Sequence, residues 1–169
     1  LRSAPGRKQV AIDNARRACD GGEPAGCRIV ADSQEAELPA TEQDGLLDRA
    51  CEGGDGLACT RLLWRVVRKD PQRAGALFAR SDALFGAGCD VGIALDCYLR
   101  GHLYGGGEGR KSDDARYRSL QTLACEYGNA DACGAAAFAF GWDREGIPAD
   151  REKAARFEAR AAALNVEAC

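Results

Sequence analysis

Cys125-Glu-Tyr-Gly-Asn-Ala-Asp-Ala-Cys133 is one of four segments in which two cysteines stand eight positions apart. The others are Cys19-Asp-Gly-Gly-Glu-Pro-Ala-Gly-Cys27, Cys51-Glu-Gly-Gly-Asp-Gly-Leu-Ala-Cys59 and Cys89-Asp-Val-Gly-Ile-Ala-Leu-Asp-Cys97. Counted from one second cysteine to the next, they recur after 32, 38 and 36 residues, and a further 36 lead to Cys169. A fixed spacing inside a nearly fixed period is the signature of a repeat protein, whose units bury their apolar faces against one another.

Each bracketed segment contains a glycine two to three residues after its first cysteine, where a helix end needs a left-handed residue. Asp55 or Asn129 just beyond can cap the next helix. The spacing therefore predicts the first cysteine in the last turn of one helix and the second in the first turn of its antiparallel successor. A tight turn then brings the two Cβ atoms close enough to bridge, and closing so short a ring contributes ~2–3 kcal/mol by loop entropy. Two other readings compete. Free cysteine is a good small core residue, but burial alone does not impose one spacing on four pairs. Zinc prefers cysteines two to four residues apart with further ligands nearby, whereas here seven residues intervene and the chain has one histidine. Bridged cysteines imply an oxidising setting: the periplasm, the cell envelope or secretion.

The stretches between the brackets leave room for two helices and a loop. In the last complete repeat the first helix is expected from about Asn129 to Asp143, a loop over Gly146-Ile-Pro-Ala-Asp150, and a second helix from Arg151 to Leu164. That second helix uses strong helix formers and places Ala154, Phe157 and Ala161 at helical spacing. The preceding repeat follows the same plan, with helices over 92–104 and 114–127 around a glycine-rich loop from Gly105 to Asp113. Earlier repeats are less regular, with Lys69-Asp-Pro71 in place of the glycine loop and Leu38-Pro-Ala-Thr41 shortening the first.

At 169 residues, 46% hydrophobic through alanine but only 7% aromatic, the chain suits thin, closely packed helices better than one thick core. Its 23 basic and 26 acidic residues are mixed along the sequence. No basic stripe is present, so nucleic acid is not expected as a partner. The longest nearly apolar stretch, Ala132 to Trp142, has 11 residues, short of the roughly 20 that cross a bilayer. No charged-then-apolar signal segment opens the chain. The absence of methionine suggests a processed or excised piece. Residues 1–7 read as linker and 8–169 as the repeat domain, about four repeats and a partial one.

Leu123-Ala-Cys125, Asp131-Ala-Cys133, Arg100-Gly-His-Leu-Tyr104 followed by Gly107-Glu-Gly109, and Lys153-Ala-Ala155 together resemble the Sel1-like repeats. The likeness is to their cysteine-rich, disulfide-bridged, Helicobacter cysteine-rich protein-like form. The resemblance implies an all-α, tetratricopeptide-like superhelix, a solenoid of antiparallel helix pairs whose inner face binds other proteins. Arg100 stands where that family keeps a buried leucine, so it either reaches water or pairs with a carboxylate. Cys169 occupies a second-cysteine slot whose partner position holds Ala161. It is expected as a free thiol, the alternative being a bridge to another chain or segment.

No catalytic residue, metal site or cofactor site is expected. The sole histidine, His102, has no nucleophile fixed near it by a motif, and neither Gly-x-Ser-x-Gly nor Ser-x-x-Lys occurs. That matters because the cysteine-rich Sel1-like proteins have been linked to β-lactam binding. No Gly-x-x-x-x-Gly-Lys occurs either.

Numbering each first helix from its second cysteine, positions 0, +3, +4 and +7 share one face and carry small or apolar residues, as in Cys59, Leu62, Leu63 and Val66, or Cys133, Ala136, Ala137 and Phe140. Positions +2, +5 and +9 lie opposite. The expected partner-binding residues there are Asp32, Arg61, Trp64, Arg68, His102, Phe138 and Trp142, with Trp64 between two arginines as an interface anchor. The competing reading makes the aromatic ones core and the arginines ordinary solvated charges. The function that follows is a non-catalytic scaffold or adaptor for a protein or peptide. The alternatives are a secreted β-lactam-binding or -hydrolysing enzyme and a dedicated inhibitor or immunity protein.

Overall fold

A computed structural model describes residues 5–34, 37–106, 111–144 and 146–167. The described residues form helices α1 (Pro5–Asp20), α2 (Pro24–Ser33), α3 (Ala40–Glu52), α4 (Gly56–Val66), α5 (Pro71–Asp90), α6 (Ala94–Tyr104), α7 (Asp114–Glu126), α8 (Ala130–Gly141) and α9 (Arg151–Glu167). The chain divides into two compact units, Leu1–Leu84 and Phe85–Cys169, with the division inside α5. In the first, α1 packs on α2, α2 on α3 and α3 on α4; in the second, α6 packs on α7, α7 on α8 and α8 on α9.

All four cysteine pairs are bridged, with Cα–Cα distances of 4.5, 4.7, 4.6 and 4.6 Å. The first cysteine is always the next-to-last residue of its helix and the second always the fourth residue of the next. Between them Gly22, Gly54, Gly92 and Gly128 adopt φ of 90°, 102°, 89° and 93°, a conformation that costs other residues roughly 1–2 kcal/mol. The residue after each glycine donates its amide five residues back: Glu23 to Ala18, Asp55 to Ala50, Ile93 to Gly88, Asn129 to Ala124, all at 2.9–3.0 Å. This is the Schellman closure of a helix end. Some remaining carbonyls are met by arginines from later helices. Arg49 donates to Cys19 O at 2.9 Å, Arg80 to Cys51 O at 3.0 Å and Arg160 to Cys125 O at 3.2 Å, placing a cation at the negative end of each helix.

The caps act as the sequence suggests at α4 and α8, where Asp55 accepts from Ala58 N and Asn129 from Ala132 N. The third turn departs from this. Ile93 holds the cap position of α6 with no side-chain bond and is 49% exposed. Packing at that turn is also rearranged. A Cβ on Gly88 would fall 1.7 Å from Asp96 Oδ2, so the missing methyl makes room for a carboxylate where the neighbouring turns match Ala50 to Ala58 and Ala124 to Ala132.

The expected core face is confirmed. Cys59, Leu62 and Leu63 are fully buried, as are Cys133 and Ala136, with Ala137 nearly so. Val66 and Phe140 are half-buried, and Phe140 stacks on Phe157 of α9 at 5.7 Å between centroids. Arg100 pairs with a carboxylate: its side chain is 20% exposed, its guanidinium lies over Gly86, and Nη1 is 4.0 Å from Asp90. Helix α9 runs to Glu167, past the expected Leu164. Counting forward one 36-residue period from Gly128, Leu164 stands where the left-handed glycine would break the helix. Cys169 lies outside the described residues.

Three stability outcomes follow. Ile93→Asn restores a cap at little loss of buried surface and raises unfolding stability by about 1 kcal/mol in urea; no gain would contradict the reading of this turn. Gly128→Ala, at φ 93° with nothing near its Cβ, loses roughly 1–2 kcal/mol from backbone strain alone. Gly134→Ala, also with nothing near its Cβ but inside α8, gains about 1 kcal/mol. Equal effects at 128 and 134 would contradict the assignment.

Candidate partner-binding surfaces

In the first compact unit, three of the expected residues converge. Asp32 at the end of α2, and Arg61 and Trp64 on α4, line one pocket of about 200 Å³ with Leu47 and Arg65. Its charges are tied into a network. Arg28 Nε donates to Asp55 at 2.8 Å and its Nη1 meets Asp32 at 3.4 Å, while Arg61 Nε meets the other oxygen of Asp32 at 3.0 Å. Burial on its own would lower the pKa of Arg28, but the hydrogen bond and charge of Asp55, with the charge of Asp32, outweigh it and raise it. Asp55 thus both caps α4 and anchors Arg28. One turn further along α4, Arg65 Nε lies 2.6 Å from Asp44 and its Nη1 donates to the buried Gln43 at 2.9 Å. Trp64 is half-buried, and Arg68 lies beyond the end of α4, exposed.

In the second unit, Phe138 and Trp142 are 60% and 64% exposed; neither belongs to the core. They line a groove of about 430 Å³ with Gly134, Ala137 and Gly141, closed on the α9 side by Ala154 and Glu158 among others. The backbone beneath them is braced. The buried Arg118 of α7 donates to Trp142 O at 3.0 Å and Pro148 O at 3.2 Å, and its guanidinium lies 5.2 Å from the Phe140 ring. Lys153 covers the same ring at 4.2 Å. Asp150 N donates to Phe140 O at 2.8 Å and Ala149 N to Asp143 Oδ1 at 2.6 Å. Arg144 reaches the buried Asp114 at 3.1 Å.

His102 stands apart from this pair, edge-on to Tyr98 at 4.4 Å and to Tyr117 at 6.0 Å. Desolvation lowers its pKa, favouring the neutral imidazole, and raises that of the Tyr117 hydroxyl, helped by Tyr98 and Asp114 against Arg144. Sequence periodicity missed Arg28 and Arg65, which sit at +1 and +6 and so fall outside the +2, +5, +9 count, and Arg118, whose contacts lie 24 and 30 residues away. A run of arginines among aspartates was the available signal for the first two.

Among the described residues no group of three or more His, Cys, Asp or Glu could hold a metal ion, and no helix is long and apolar enough to cross a membrane. Four disulfides mark a chain that matures in an oxidising, extracytoplasmic compartment.

No family model matches the chain, and no curated protein matches it. Among solved structures it is similar to a protective antigen present in uropathogenic Escherichia coli strains that displays an SLR (Sel1-like repeat) fold. Identity is 22% over 91% of this chain and 33% of that one, with a TM-score of 0.60. It is also similar to a Sel1 repeat protein from Oxalobacter formigenes, at 18% identity over 90% of this chain and 55% of that one, with a TM-score of 0.40. The chain thus spans a third of the length of the first and just over half of the second. With consecutive helices packed in order within each unit and every described cysteine pair bridged at its turn, the fold is that of the Sel1-like repeats in a cysteine-rich, disulfide-braced form.

Proposed function

We propose that this chain is a non-catalytic protein-binding module, a scaffold or adaptor of the periplasm, cell envelope or extracellular space. It holds a protein or peptide partner through Phe138 and Trp142, with Asp32, Arg61, Trp64, Arg68 and His102 as further contacts. The observation that carries this reading is the pair of large aromatic side chains more than half exposed over an apolar groove. Leaving such surface in water forfeits the burial that would stabilise the fold, and tryptophan is enriched among interface anchors.

The bracing of the groove strengthens the reading. Arg118 donates to Trp142 O, Ala149 N to Asp143 Oδ1 and Asp150 N to Phe140 O, so the backbone that carries the Trp142 ring is held by hydrogen bonds on both sides. Backbone already held in this way has less freedom to lose on binding. The small residues Gly134, Ala137 and Gly141 leave space for close approach of a partner's backbone or side chains.

Partner retention tests the assignment. Phe138→Ala and Trp142→Ala each remove exposed surface, so circular dichroism and the unfolding midpoint stay near those of the parent. Each variant is expected to retain at least about tenfold less partner in affinity purification after cross-linking. Retention equal to the parent by both would remove this surface from the function. Nitrocefin turnover above the buffer rate would contradict the non-catalytic reading.

A further inference from the structure

We infer that the groove between α8 and α9 recognises an arginine side chain of the partner, its cation held by the Glu158 carboxylate and the exposed rings of Phe138 and Trp142. The inference rests on the protein-binding reading and adds to it the chemistry of the ligand, which that reading leaves open.

The aromatic lining is the first feature that points to a cation. Phe138 and Trp142 line the groove at 60% and 64% exposed, so most of each side chain stays in water. The face of an aromatic ring attracts a cation within about 6 Å, an indole most strongly and a guanidinium most often. At about 430 Å³ the groove has room for a long side chain and its neighbours. Ala137 and Ala154 are already buried. What a ligand covers is therefore the two rings and the open backbone at Gly134 and Gly141, where nothing lies near an added Cβ.

An unpaired carboxylate is the second. Among the described residues that line the groove, Glu158 alone carries a charge, and it is exposed. Three and four residues away on either side stand Ala154, Ala155, Ala161 and Ala162, so its own helix offers it no ion-pair partner. It forms no ion pair or side-chain hydrogen bond with any described residue. The nearby cations are committed elsewhere. Lys153 lies over the Phe140 ring, Arg156 pairs with Glu152, Arg160 donates to the carbonyls of Cys125 and Glu126, and Arg144 meets Asp114. Arg151 stands two turns before Glu158, ~10 Å along the helix.

The sign of the ligand follows. An incoming carboxylate would face Glu158 with nothing to neutralise either charge. An uncharged apolar side chain would cover the rings and leave Glu158 unpaired at its edge. A guanidinium satisfies both, because its plane stacks on a ring while its rim donates to the carboxylate.

The probes are acetyl-Leu-Arg-Leu-amide, the same peptide with citrulline in place of arginine, and the same peptide with glutamate there. Citrulline keeps the shape of arginine and removes the charge. The chain has two tryptophans, so a proton–nitrogen correlation spectrum shows two indole N–H signals, and the one lost in Trp142→Ala belongs to Trp142. The arginine peptide is expected to move the Trp142 signal and leave the other in place. It is expected to bind at least about fivefold more tightly than the citrulline peptide. Glu158→Gln, a good helix former at an exposed position, is expected to lower the arginine peptide to the level of the citrulline one. Equal binding of arginine and citrulline peptides, tightest binding by the glutamate peptide, no movement of the Trp142 signal, or full arginine preference in Glu158→Gln would each overturn the inference. The three peptides are compared on the unaltered chain, so the result does not depend on any variant folding. If the Trp142 signal stays still while partner retention requires Phe138 and Trp142, this inference falls and the protein-binding reading stands. If arginine is preferred but retention is indifferent to both aromatic residues, the cation site stands and the groove is not the partner's seat.

Discussion

The constraint on which the structure depends is the clamped turn that ends one helix and starts the next. Two requirements meet there. The chain must reverse within four residues, which a glycine near φ 90° allows. The helix ends must also stay together, which a disulfide across Cα atoms about 4.6 Å apart enforces. Neither suffices alone: a left-handed glycine permits the reversal without selecting it, and a bridge between misdirected helices would be strained. Thin helices built largely on alanine bury little apolar area per residue, so cross-links contribute where a thicker core would otherwise do so.

The clamp also determines where side chains face. With the second cysteine fixed as the fourth residue of each first helix, positions 0, +3 and +4 go inward. Polar atoms freed at the turns are then available to later helices, as when Arg160 reaches back to Cys125 and Glu126. Asp55 shows the economy of the arrangement: one carboxylate caps α4 and holds Arg28, which in turn orients Asp32 toward Arg61. The charge network of the pocket is therefore anchored to the same turn that is closed by Cys51 and Cys59.

Much of the fold was legible because its rules are local. Glycine three residues after cysteine, a capping Asp or Asn beyond it, and apolar residues at helical spacing all act within a dozen residues. The run of α9 through Leu164 follows the same rule, since a non-glycine residue there leaves the helix no cheap exit. The sites were only partly legible, because their decisive contacts are distant in sequence. Periodicity placed Phe138 and Trp142 on a common side, but their exposure depends on what α9 leaves uncovered, and the hold on the Trp142 carbonyl on Arg118. Arg65 lines the pocket, and Arg28 meets its Asp32, from positions the helical count assigns to neither face. Ile93 was readable as a missing cap only once Asp55 and Asn129 were seen to act as caps in equivalent places.

The pairing of the cysteines tests the central constraint most directly. Each bracket contains an acidic residue, such as Glu23, Glu52, Asp90 or Glu126. A protease that cuts after Asp and Glu therefore opens every ring, and its two halves stay joined only if the bridge spans them. Mass spectrometry of the unreduced, alkylated digest should find Cys19 joined to Cys27, Cys51 to Cys59, Cys89 to Cys97 and Cys125 to Cys133. A cross-link between different brackets, or alkylation at any of these eight cysteines in the folded protein, would contradict the clamped turn as the basis of the fold.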